Sequence, residues 1–140
     1  MNILKILTPE RLLGNYGERA ARRHLKKNGY KILKSSYEAL GYEIDVIARK
    51  DNILAFVEVK TRNTEKITDK EPRPSSSVTP EKQKKIISAA SYYNAHNPSD
   101  NRLRFDVIEV YTFGELKRMK IQRIVHIENA FDINTAYKKH

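Results

Sequence analysis

Glu58 and Lys60 lie two residues apart inside residues 53–61, the most apolar run of the chain. In an extended strand that spacing puts both side chains on one face. Asp45 sits in the middle of the preceding candidate strand, residues 42–48, where Ile44, Val46 and Ala48 alternate with Glu43, Asp45 and Ile47. Acids on apolar strands are unfavourable, because burying an unpaired charge costs free energy. A short turn at Lys50-Asp51-Asn52 joins the strands, so a hairpin in suitable register brings Asp45 against Glu58. Two carboxylates with a backbone carbonyl make a hard, partial oxygen shell suited to Mg2+ or Mn2+. A metal held there would polarise a phosphoryl group and lower the pKa of a bound water. Lys60 would orient that water or stabilise charge developing on the phosphate. The alternative is a buried ion pair, Glu58–Lys60 or Asp45–Lys60, with no metal. Glu43, one pleat from Asp45, reads as an exposed acid at the strand start rather than a supporting group.

Helices must flank these strands. Thr8-Pro9-Glu10 is a helix start, with a threonine cap, a proline in the first turn and an acid behind it. Asn28-Gly29 is a stop. Leu13, Tyr16, Ala20, Ala21, His24 and Leu25 form its packing stripe. Glu18 lies at the edge of that stripe, either aimed into a cleft between helix and sheet or simply exposed. Gly14 and Gly17 interrupt the helix, which suggests close approach of a neighbour. Residues 30–37 read as extended, and the near-continuous apolar run at 53–61 as a central strand covered on both faces. Residues 62–77, with Pro72, Pro74 and a serine run, read as a mobile loop. Thr79-Pro80-Glu81 opens a second helix that ends near Asn97-Pro98. Residues 103–112 and 119–127 are strands, and the tail from 128 frays apart from Ala130 and Phe131. The order points to one α/β domain over residues 1–140, with a mixed sheet flanked by helices.

The net charge of +10, from 27 basic and 17 acidic residues, favours a polyanionic partner, of which nucleic acid is the commonest in the cytoplasm. Arg62 and the helix residues Lys82, Lys84 and Lys85 are candidate phosphate contacts, or else a solvated surface. Gln83 is a candidate neighbour of the site. Arg19, Arg22, Arg23, Lys26 and Lys27 read as a mostly solvated run. The chain has no cysteine, which excludes disulfides, thiolate metal sites and a thiol nucleophile. His24, His96, His126 and His140 lack ligand spacing, and Asp106 reads as structural. No run is apolar enough to span a bilayer, and the N-terminus lacks a signal-peptide cleavage site. The expectation is a cytoplasmic protein without a membrane partner.

Gly17-Glu18, Glu43-Ile44-Asp45-Val46-Ile47 and Phe56-Val57-Glu58-Val59-Lys60-Thr61-Arg62 resemble the motifs of the YraN-like family of the restriction-endonuclease-like superfamily. Val78-Thr79-Pro80 with Lys82, Arg104-Phe105-Asp106-Val107 and Asn129-Ala130-Phe131 continue the resemblance in the same order. It therefore runs over nearly the whole chain. The resemblance implies a restriction-endonuclease-like mixed β-sheet flanked by helices, similar to archaeal Holliday-junction resolvases. It implies Asp45 and Glu58 as metal ligands, Lys60 as catalytic lysine and Glu18 as the helix acid beside the metal. It also implies a homodimer, since those resolvases are dimers. Tyr42 stands where the family has a glycine directly before the Glu-Ile-Asp run, with Gly41 one place earlier, which points to an insertion or bulge. The expected function is Mg2+- or Mn2+-dependent endonucleolytic cleavage of phosphodiester bonds in DNA, branched or junction DNA included, with DNA preferred to RNA. The alternatives are a non-catalytic nucleic-acid-binding protein on a nuclease fold and a basic structural protein.

Overall fold

The computed structural model describes residues 8–64 and 78–138. Helix α1 (Pro9–Lys27) leads into strands β1 (Lys31–Ala39), β2 (Tyr42–Lys50) and β3 (Ile53–Thr64). Helix α2 (Pro80–His96), strand β4 (Arg102–Phe113), a 3-10 turn (Leu116–Arg118), strand β5 (Lys120–Phe131) and helix α3 (Ile133–Ala136) follow. Both proline-led helix starts form as their sequences require. Thr8 Oγ1 accepts from the Arg11 amide at 3.2 Å, and Thr79 Oγ1 from the Lys82 amide at 3.2 Å.

The sheet order is β1-β2-β3-β4-β5. The β1–β2 and β2–β3 pairs are antiparallel, β3–β4 is parallel, and β4–β5 is antiparallel. The sheet is mixed because α2 lies between β3 and β4 in the chain, and parallel neighbours need such a crossover. The β1–β2 turn has Leu40 at φ 53° and Gly41 at φ 77°, the paired left-handed backbone of a tight hairpin.

Leu54, Ala55, Phe56 and Val57 are all buried, as a strand covered on both faces requires. Ala20, Ala21 and Leu25 of α1 pack with Val46, Ala48, Ala55, Val57, Ile108 and Val110 on one face. Ile86, Ala90 and Tyr93 of α2 pack with Ile44, Ile47, Leu54, Phe56, Phe105 and Val107 on the other.

Three expectations are corrected. β3 continues to Thr64, so Arg62 lies in a strand rather than a loop. It is held there by the parallel ladder, which runs from Ile53–Arg102 to Thr64–Phe113. The rest of the loop expected at 62–77 lies outside the described residues. The tail does not fray at 128. β5 reaches Phe131, and α3 follows behind an Asp132–Thr135 capping box. Lastly, the alternation in β2 slips by one residue, because Ile44 and Ile47 face α2 while Val46 and Ala48 face α1.

Of the two glycines in α1, one marks a close approach. A Cβ on Gly17 would sit 1.7 Å from Thr61 Oγ1, whereas Gly14 has nothing within 4 Å. Gly17→Ala should therefore destabilise the protein by about 1–3 kcal/mol through overpacking. Gly14→Ala should stabilise it by about 0.5–1 kcal/mol through helix propensity. Urea melts of both variants check the pair, and equal effects would contradict this account of the α1–β3 contact.

Candidate active site

β2 and β3 are hydrogen-bonded only from the Val46–Val57 pair to the Lys50–Ile53 pair. Beyond Val46–Val57 the strands separate, although β2 begins at Tyr42 and β3 runs on to Thr64. A backbone amide at such a fork needs another acceptor. The Val59 amide donates to Asp45 Oδ2 at 2.8 Å, so the Asp45 carboxylate does the work of the missing strand carbonyl. On its other side, the β1–β2 ladder pairs Ser35 with Val46 and Tyr37 with Ile44 but skips Ser36 and Asp45. Ser36 is left-handed there, at φ 53°, a conformation that costs a non-glycine residue about 1–2 kcal/mol. This irregularity releases Asp45 from the pleat.

An open cavity of about 830 Å³ fills the fork, with Asn15 and Glu18 of α1 and Glu43, Asp45, Glu58 and Val59 among its walls. The Gly17–Thr61 contact brings the α1 backbone against β3 and so delivers Glu18, one residue on, to the cavity. Glu18 and Asp45 face each other, and when Asp45 holds its proton its carboxyl donates to Glu18. Carboxylate oxygens of Glu18, Glu43 and Asp45 all lie within 4.8 Å of one another. Glu58 reaches the same cavity from across the fork. Its Oε2 accepts from the Tyr42 hydroxyl at 3.3 Å, and its Oε1 lies 3.9 Å from Lys82 Nζ.

Charge crowding shows in the titration of these groups. Burial pushes the Asp45 carboxyl up, the Glu58 charge adds to the rise, and the pKa reaches about 8. Burial also raises Glu18 and Glu58; Asp45 and Arg22 oppose the rise at Glu18, and Lys82 and Tyr42 oppose it at Glu58. Burial, then the nearby Lys82 ammonium, lowers Lys60, while Glu58 and Glu109 pull it back up.

The donor set suits a divalent cation. It consists of oxygens alone, clustered and short of positive charge, which fits Mg2+ or Mn2+. An octahedral Mg2+ places neighbouring ligand oxygens about 3 Å apart and opposite ones about 4 Å apart, so a modest closure of the trio suffices. The trio differs from the Asp45–Glu58 pair expected as ligands. Glu43 is exposed yet belongs to the cluster, and Glu58 stands opposite it.

The remaining candidates separate. Lys60 follows Glu58 along β3 but does not line the acidic cavity. Lys82 adjoins Glu58. Lys84 Nζ lies 4.9 Å from the Tyr137 ring centroid, and Lys85 is exposed on α2. Gln83 donates to the Val78 carbonyl at 2.8 Å and accepts from Thr135 Oγ1 at 3.0 Å, so it ties α2 to α3 and stays out of the cavity. Asp106 is fully buried and accepts from Arg104, His126 and the Asn129 amide. Burial raises its pKa, and bonds from His126 and Arg104 outweigh that, so it stays below the usual carboxylate value. His24 packs edge-on against His126 at 5.4 Å and is not among the walls of the acidic cavity.

Glu109 escaped the sequence reading. It is fully buried in β4, opposite Lys60 in the parallel ladder. The Tyr111 hydroxyl donates to its Oε2, Arg62 Nε lies 3.9 Å from that oxygen, and Oε1 has no hydrogen-bond partner among the described residues. The signal that exposed Glu58, an acid inside an apolar strand, was also present at Glu109.

A family model matches residues 17–110, a span that includes Glu18, Glu43, Asp45, Glu58, Lys60 and Glu109. The chain belongs to Uncharacterised protein family UPF0102. This is the YraN-like family whose motifs the sequence carries. A UPF0102 protein of Clostridioides difficile is 43% identical over 119 residues, 84% of this chain and 95% of the relative. One from Chlorobium phaeobacteroides is 41% identical over 124 residues, 85% and 93%. One from Desulfosudis oleivorans is 40% identical over 132 residues, 94% and 98%. Among the described residues, no helix is long and apolar enough to cross a membrane.

The raised Asp45 pKa fixes a pH dependence. An unfolded aspartate titrates near about 4 and Asp45 in the folded chain at about 8. Between these values the folded state holds the extra proton. The contribution is fully present below about pH 4 and is lost as pH rises through about 8. Asp45→Asn is neutral throughout. In metal-free buffer the urea midpoint of Asp45→Asn should therefore gain on wild type as pH rises from about 5 to about 8. A constant difference between the two would contradict the shift.

Proposed function

We propose that this protein is a divalent-metal-dependent nuclease that hydrolyses phosphodiester bonds in DNA, branched or junction DNA included, and that its sheet is of the restriction-endonuclease-like kind. The observation that carries the reading is the meeting of Glu18, Glu43, Asp45 and Glu58 at the β2–β3 fork on a chain of net charge +10. The basic surface attracts a polyanion that the acids alone would repel. A divalent cation reconciles the two.

Glu18, Glu43 and Asp45 would hold Mg2+ or Mn2+, which supplies Lewis-acid activation of a phosphoryl oxygen and of a water. Glu58, held by Tyr42 and Lys82, borders the same cavity and can accept a proton from a water on that side. Lys60 and Lys82, both near Glu58, present positive charge where a substrate phosphate would gain negative charge. Arg62, anchored to Glu109, extends that positive border along β3.

Lys60 does not line the acidic cavity, and this one observation favours the second reading, a nucleic-acid-binding protein that does not cleave. Purified protein with Mg2+ or Mn2+ and a panel of branched and linear DNAs separates the two. Cleavage is expected with metal, absent in chelator, and reduced at least about 100-fold by Asp45→Ala or Lys60→Met. Salt-sensitive binding with no cleavage under either metal would establish the second reading. Cleavage that survives both Asp45→Ala and Glu58→Ala would assign the activity to something else.

A further inference from the structure

A second cavity, of about 340 Å³, shares a wall with the acidic one. It is lined by Asn15, Glu18, Arg19 and Arg22 of α1 and by Ser35 and Ser36 of β1. Asn15, Glu18 and Ser36 line both cavities. The α1 residues are spaced three and four apart, which sets them in one row on the helix. That row faces the stretch of β1 where Ser36 turns left-handed and the ladder skips Asp45. The irregularity that frees Asp45 toward the acids thus also turns Ser36 to the second cavity.

The lining has a definite chemistry. Two guanidiniums, two hydroxyls and a carboxamide line this open cavity, and all can donate hydrogen bonds. Arg22 is drawn electrostatically toward Glu18, and among the described residues no hydrogen bond or close ion pair commits the guanidinium of Arg19 or of Arg22. Guanidiniums in such a setting match the planar, bidentate geometry of a phosphate edge. The one acid in the wall, Glu18, is shared with the cation-suited cluster, where its carboxylate lies within 4.8 Å of those of Glu43 and Asp45. The cavity is therefore basic on its outer side and meets the acids on its inner side.

We propose that the Arg19–Arg22–Ser35–Ser36 cavity is a phosphate subsite, which takes the phosphodiester group next to the one held at the acids. A nucleic-acid strand then runs from the fork, over Ser36, and along α1. This rests on the nucleic-acid reading above and adds the path of the strand and the residues that grip it.

The test is equilibrium binding of a fluorescent four-way DNA junction and a matched duplex, by anisotropy across a salt series in Ca2+. It compares Arg19→Ala/Arg22→Ala with Arg23→Ala/Lys27→Ala, which removes the same charge from exposed positions of the same helix. The first pair should weaken binding about tenfold or more and lower the salt slope by about 1–2. The second should change affinity less than about threefold and leave the slope nearly unchanged. Arg19→Lys/Arg22→Lys should restore the slope but only part of the affinity, because an ammonium lacks the bidentate fork. Equal losses from the two alanine pairs, or none from the first, would overturn the subsite. Because binding is read without turnover, a specific Arg19/Arg22 loss in a protein that never cleaves DNA would keep the subsite and reject only the nuclease reading. Cleavage with no specific loss would do the reverse. No measurable binding of either DNA would overturn the subsite as well.

Discussion

The site depends on one hydrogen bond that replaces a strand pairing. β2 and β3 part after Val46 and Val57, and the Val59 amide is taken up by the Asp45 carboxylate at 2.8 Å. A parted pair of central strands would ordinarily strand backbone groups without partners. Here a side chain satisfies the amide, so the fork stays open and the cavity between the strands exists. The same bond fixes Asp45 in place. The α1 helix, the Gly17–Thr61 contact and the left-handed Ser36 all serve that geometry, since each brings a wall of the cavity to the opened fork.

Gathering carboxylates in a partly buried cavity opposes stability. Each buried ionised acid forfeits hydration, and like charges nearby add to the penalty. The protein answers in two ways. Around Glu58 it supplies the Tyr42 hydroxyl and the Lys82 ammonium. Around Asp45, among the described residues, stand the Val59 amide and the acids Glu18 and Glu58 rather than a cation, so the group is driven toward its protonated form. Asp106 shows what a structural acid looks like in this fold: Arg104, His126 and the Asn129 amide surround it and it stays ionised. The contrast separates an acid that is finished by the protein from acids that are left for something else to neutralise.

Much of the fold could be read from local signals. Thr8-Pro9-Glu10 and Thr79-Pro80-Glu81 announce helices through capping chemistry that acts over one turn. The apolar run through Phe56 and Val57 announces a central strand. The misfit of Asp45 and Glu58 in such strands pointed to the site. What could not be read depends on pairing between distant segments. The length of β3 is set by its parallel ladder to β4, which carries polar Arg62 and Asn63 within the strand. The slip in β2 after Asp45, opposite the left-handed Ser36, depends on the partner strand, whereas Glu43 joins Asp45 by the ordinary alternation of the strand and was passed over as merely exposed. Glu109 was legible by the same rule as Glu58 and was passed over. The basic run on α1 is mostly solvated, as its sequence reads, and nothing in its spacing shows that Arg19 and Arg22 share a cavity wall with Ser35 and Ser36 of β1.

The central claim is that the fork is completed by a divalent cation on Glu18, Glu43 and Asp45. Calorimetric titration of the full chain with Mn2+, without nucleic acid and in two buffers of different ionisation enthalpy, tests it most directly. The account predicts saturable binding accompanied by proton release, with the protons released per ion falling as pH rises through about 8. It predicts loss of that binding in Asp45→Asn. Absence of Mn2+ binding, or binding of equal strength and proton count in Asp45→Asn, would contradict it.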